Sequence, residues 1–182
     1  MKFPQSGANG KLDRDEAARL IVAFRARPRP SVLAKLDILL QLGQIDDPQI
    51  VPFLMAVVTD PAKPNEVRID ALKRLSDGPQ FAPNRRPVAE AIMRVLREAV
   101  SLDLRLQATL ALAELSDVDG VLTTLGGLAL DPAETIDVRY AAFTSLEQSG
   151  PRPESIALLR QLTADETFSR AARSLLAWWK LG

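Results

Sequence analysis

Five stretches of the sequence repeat one helical pattern. An apolar residue opens each stretch, at Val32, Val67, Leu104, Val138 and Phe168. Four residues on stand Leu36, Ala71, Ala108, Ala142 and Ala172, and eight residues on stand Leu40, Leu75, Leu112, Leu146 and Leu176. Residues four apart share a face of a helix, so each stretch presents one apolar stripe. Successive stretches start 35, 37, 34 and 30 residues apart. Self-similarity at such a period marks a stack of helical units, each burying its stripe against its neighbours. The expected fold is all-α, an α-solenoid (superhelix) of about four to five helix pairs.

The rest of the chain fits this plan. Residues 1–12, with two glycines and a proline in the first ten, read as a flexible N-terminal tail, and 13–182 as a single domain. Asp13 and Glu16 make a capping-box pattern ahead of a helix over 14–27, whose stripe is Leu20, Ile21 and Phe24. Pro28 and Pro30 end it, and Ser31 caps the next, which runs to Gly43. Paired helices follow over 50–58, over 67–75 with 88–100, over 104–115 with 121–130, and over 138–146 with 156–162. A last helix covers 168–180, and Asp60–Pro61 and Asp131–Pro132 close two of the units alike. Spacings of three and four dominate, and the alternation expected of strands is missing.

Three of the stretches begin acid–aliphatic–Arg: Glu66-Val67-Arg68, Asp103-Leu104-Arg105 and Asp137-Val138-Arg139. A carboxylate at a helix start offsets the free N–H groups and the dipole, and the aliphatic residue packs inward. The recurring arginine is placed to reach the acid of an adjoining unit. With these segments, residues 31–180 resemble the short bacterial HEAT-like repeats of the phycobilisome-lyase type. The first and last units depart from the motif, Leu33 following Val32 and Ser169 following Phe168 where arginine stands elsewhere. The resemblance implies a protein-interaction scaffold whose site lies on the concave face, lined by the second helix of each pair.

Composition narrows the chemistry. The 182 residues contain neither cysteine nor histidine, which excludes disulfides, thiolate nucleophiles, zinc–sulfur sites and every His-dependent triad. Basic and acidic residues balance at 23 each, which argues against a dedicated nucleic-acid binder. Nor does any stretch approach the ~20 apolar residues of a membrane span, so no membrane insertion is expected. The polar first ten residues do not read as a secretory signal, and the expected location is cytoplasmic. Asn9 to Glu16 echo half of an EF-hand loop, but Gln5 and Gly7 stand where its first ligands belong, so no metal or other cofactor is expected.

Candidate partner-binding residues therefore come from surface patterning. On the helix over 87–100, Val88, Ile92, Val95, Leu96 and Ala99 form the core side. Arg94 and Arg97 share the opposite face, with Arg85 and Arg86 just ahead, as a basic patch for an acidic peptide or a phosphate. The long connection 76–87 is a rim loop that offers Phe81 as an exposed anchor. Gly126-Gly127 inside a helix calls for a close packing approach or a flat docking spot. Arg25, Arg27 and Arg29 read as favourable charges at a helix C-terminus, and of Trp178 and Trp179 one is free to stay exposed. The expected function is a non-catalytic adaptor that binds a protein partner, alone or within a larger assembly. A HEAT-like nucleic-acid or DNA-glycosylase-type protein and a bilin-lyase-like protein are the alternatives.

Overall fold

The structure is a computed structural model that describes residues 7–75 and 79–180, with side chains from residues 14–75 and 81–180. Residues 1–6, half of the expected tail, lie outside the described residues, and residues 7–12 belong to a helix. The described residues form ten α-helices and no strand. The helices are α1 (Gly7–Ala26), α2 (Val32–Leu42), α3 (Ile50–Thr59), α4 (Asn65–Leu75), α5 (Arg85–Glu98), α6 (Leu102–Ala113), α7 (Val121–Leu130), α8 (Ile136–Gln148), α9 (Pro153–Leu162) and α10 (Ser169–Trp178). A short 3₁₀ turn, Pro79–Asn84, precedes α5. The all-α expectation therefore holds. Helix α1 starts earlier than the Asp13–Glu16 pattern predicts, so both residues sit within it, and Glu16 pairs instead with Arg19 at 2.6 Å. The same helix runs through Asn9–Glu16, where a calcium loop would need a turn.

The chain divides into two compact units, 1–91 and 92–182, with the boundary inside α5. In the first, α1 packs on α2, α2 on α4, α3 on α4, and the 3₁₀ turn on α3. Its core is built on Phe24, Leu39, Leu42, Ile50, Leu54 and Leu72, with Phe24 and Phe53 meeting edge to face at 5.1 Å. In the second, α6 packs on α8, α7 on α8 and α9, and α9 on α10. Phe168 is fully buried there, stacked on Phe143 at 5.0 Å and met edge-on by Tyr140 at 4.9 Å.

Four of the five repeated stripes are buried as expected: Val67, Leu104, Val138, Phe168, the alanines four residues on and the leucines eight on. The first is displaced. In α2 the buried residues are Lys35, Ile38, Leu39 and Leu42, while Val32 and Leu36 are half-buried and Leu40 is 55% exposed. Apolar residues surround α2 on nearly every side, so a leucine at the right spacing does not decide which face turns inward. Packing against α1 and α4 decides it, and the buried stripe opens on Lys35 rather than Val32.

The recurring arginine does more than reach an acid. Arg68 Nε donates to the Val58 carbonyl at 2.9 Å, and Arg139 Nε and Nη2 donate to the Ala129 carbonyl at 3.0 and 2.9 Å. Arg105 donates to the carbonyls of Leu96 and Ala99. Each guanidinium thus satisfies carbonyls that the end of the preceding helix leaves without an intrahelical donor. Beyond that, Arg139 pairs with Asp165 at 2.6 Å and Arg105 with Glu134, so within the second unit the arginine reaches the acid ahead as predicted. Asp165 also accepts from the backbone N–H groups of Thr167 and Phe168, and Arg139 lies 5.1 Å from the Phe168 ring centre. One side chain therefore joins the end of α7, the start of α8 and the entry to α10.

These acids carry a pH dependence. Burial works to raise the Asp165 carboxyl, but the Phe168 and Thr167 N–H groups and Arg139 outweigh it and hold the group below its ordinary value. Glu134 is likewise lowered, burial being outweighed by Arg105 and Thr135. A depressed native pKa contributes stability that is full above the unfolded-state value and lost as pH falls through the native one. Acid unfolding followed by circular dichroism is expected to show stability falling from the ordinary values of 4.5 and 3.8 downward. In the Glu134→Gln/Asp165→Asn variant that slope flattens. At pH 7, Arg139→Met is expected to cost about 3 kcal/mol in urea unfolding, because it leaves a part-buried carboxylate and a helix-end carbonyl without their donor.

Candidate functional site

Helix α5 has the two-sided character its sequence predicts. Val88, Ala89, Ile92, Val95 and Leu96 are buried, while Arg86, Glu90, Arg94, Arg97 and Glu98 are exposed. Arg94 pairs with Glu98 at 2.9 Å and Arg86 approaches Glu90 at 3.9 Å, both across one helical turn and in solvent. Such pairs hold weakly and open readily to a competing partner. Arg97 is exposed and has no ion-pair partner among the described residues. Arg85 is half-buried and already engaged. Arg94 and Arg97 are thus the available cations of this face.

The connection 76–87 is not the open rim loop predicted. Ser76, Asp77 and Gly78 lie outside the described residues, the next six form the 3₁₀ turn, and Arg85–Pro87 already belong to α5. Phe81 is only 7% exposed, because the turn packs against α3 and carries the ring inward. It is a core residue, not an exposed anchor. Of the tryptophans, Trp178 is 74% exposed and Trp179 half-buried, as adjacent helical positions require.

A group that sequence patterning undervalued lies at the end of α1. Arg25, Arg27 and Arg29 line a cavity of about 230 Å³ together with Phe24, Lys35 and Lys63. A second hollow of about 190 Å³ shares Phe24, Arg25 and Lys63 and continues onto Phe53, Ala56 and Val57. Lys35 is only 3% exposed, and its ammonium has no hydrogen-bond or ion-pair partner among the described residues. The ammonium instead lies over the Phe24 ring, 5.7 Å from its centre. Burial, then the neighbouring charges of Lys63 and Arg29, push the Lys35 pKa below its ordinary value. Lys63 donates to Asp60 at 2.8 Å, and with the Ala62 N–H it holds the Asp60 carboxyl low. The signal in the sequence was the place of Lys35, three residues before Ile38 and four before Leu39 on an apolar stripe. The displaced register of α2 concealed it.

The fold and these surfaces define an all-α protein with Arg94 and Arg97 exposed on one helix and a partly enclosed cationic cavity elsewhere. Compared with family models, curated proteins and solved structures, the chain matches none.

The paired glycines separate cleanly. A Cβ on Gly126 would come within 2.3–2.9 Å of the Leu158 side chain, so α7 packs against α9 there with no room for a methyl group. A Cβ on Gly127 would meet nothing within 4 Å. Gly127→Ala is therefore expected to stabilise by about 1 kcal/mol, the helix-propensity difference. Gly126→Ala is expected to lose that gain to overpacking, which costs about 1–3 kcal/mol. Thermal melts of the two single variants check the contrast.

Proposed function

We propose that this chain is a non-catalytic, cytoplasmic protein-interaction adaptor built as a HEAT-like α-solenoid, which docks an acidic segment of a protein partner on the solvent-exposed face of α5, taken as part of the solenoid's concave side. The reading rests on one observation: α5 buries a complete apolar face and turns Arg94 and Arg97 to solvent, one weakly engaged and the other without a partner among the described residues. Arginine is suited to this role, since its planar fork meets a carboxylate with two parallel hydrogen bonds. The solenoid reading draws on helices that pack against the next and the next but one, as α7 does on α8 and α9 and α6 on α7 and α8. The absence of histidine and cysteine from the sequence favours binding over catalysis. Balanced charge favours a protein partner over nucleic acid.

The test is capture of the tagged chain from its native lysate with partners identified by mass spectrometry, alongside Arg94→Glu/Arg97→Glu. The expected outcome is one stoichiometric protein partner, lost on charge reversal while the melting temperature stays within about 2 °C, since both positions are surface sites. Undiminished capture by the double variant removes the assignment to α5.

A further inference from the structure

Beyond that reading, and independent of it, we infer that the cavity beside the end of α1 is a binding site for a small organic phosphate, its anionic group held between Lys35 and the arginines 25, 27 and 29, and its apolar body lying against Phe53, Ala56 and Val57. Four observations converge on this. The first is a lysine only 3% exposed whose ammonium has no counter-ion among the described residues. Buried cations ordinarily keep a carboxylate or several carbonyls beside them, because removing a charge from water is costly unless something replaces the water. The Phe24 ring is a partial substitute only.

The second observation is the company Lys35 keeps. The cavity adds Arg25, Arg27, Arg29 and Lys63 around it, and the lining includes no carboxylate. The acid nearest in the adjoining hollow, Asp60, is already engaged by Lys63 and a backbone N–H. Like charges gathered around a buried cation destabilise a fold, and the lowered pKa of Lys35 registers that cost. The arrangement becomes favourable when an anion enters. Third, the arginines bear forked donors suited to phosphate oxygens, and none of their side chains is tied to an acid among the described residues.

The fourth observation is shape. At about 230 Å³ the cavity exceeds what a single water needs and admits a polyatomic anion. The adjoining hollow shares three residues with it and offers an apolar wall. Both are small and partly enclosed, which fits a small molecule rather than a segment of a macromolecule. An anion with an apolar portion satisfies both compartments, where inorganic phosphate satisfies one.

The experiment is isothermal titration of the full chain with phenyl phosphate and with inorganic phosphate at pH 7.5 and fixed ionic strength. The same ligands are followed by thermal melts of wild type, Lys35→Met and the surface variant Arg25→Ser/Arg27→Ser/Arg29→Ser. One-to-one binding of phenyl phosphate is expected, about tenfold tighter than inorganic phosphate and weakened at least about tenfold in each variant, the scale of one lost charge-assisted contact. Without ligand, Lys35→Met is expected to melt above wild type, because a buried unpaired charge has gone; a structural lysine would show the opposite. The arginine variant, altered only at exposed positions, keeps the test decisive should Lys35→Met fail to fold. Equal binding by wild type and the arginine variant, or no saturable binding by wild type, overturns the inference.

Discussion

Each arginine of the acid–aliphatic–Arg motif is held by the backbone before it is held by an acid. A helix end leaves carbonyls without donors, and burying that end in a stack without partners would be costly. Arg139 removes the difficulty at Ala129 and, with the same fork, anchors Asp165 at the entry to α10. Arg105 does the same between the end of α5 and Glu134. Lysine could serve neither role as well, since a point charge cannot span two acceptors in fixed directions. The motif therefore fixes the distance from one helix to the next, and the apolar stripes are buried only if that distance is right.

The same reasoning explains what the sequence made legible. Val67, Leu104, Val138 and Phe168 each open a buried stripe, and beside the first three the motif arginine is engaged by the end of the helix before, which helps to set the face that turns inward. Asp60 and Asp131 before proline end their helices in extended conformation, with ψ of 107° and 109°, because the proline ring excludes the helical alternative for the residue before it. Where local pattern left two solutions open, tertiary contacts chose. Helix α2 is apolar almost all round, and its inward face was decided by α1 and α4 rather than by its own spacing. Phe81 illustrates the same limit, since a segment rich in proline and glycine reads as a loop until the 3₁₀ turn closes over α3.

The candidate surfaces divided along a similar line. Arg94 and Arg97 were legible because α5 is amphipathic enough for periodicity alone to sort its faces. Lys35 was not legible, because a lysine in a leucine-rich helix is ordinarily assigned to solvent, and the arginines 25, 27 and 29 have a sufficient local explanation in the helix dipole. Only the approach of α1, α2 and the segment after α3 turns three separate features into one cavity. A charge on the buried side of a helix is a conflict between local pattern and global fold, and such conflicts concentrate where a protein trades stability for function.

The two cationic sites differ in what they can recognise, and dielectric surroundings set the difference. Arg94 and Arg97 lie in water, where a unit-charge contact at 4 Å is worth about 1 kcal/mol and is screened beyond ~10 Å at 0.1 M salt. Such a face steers an acidic partner and helps to orient it, but affinity must come from a larger interface around it. Lys35 lies where the effective dielectric is lower and the same contact is several times stronger. A site of that kind needs no large interface: one anion of the right size gains most of what is available, and ions that do not fit gain little. In the proposed reading, the exposed face suits an extended macromolecule and the partly enclosed one a small anion.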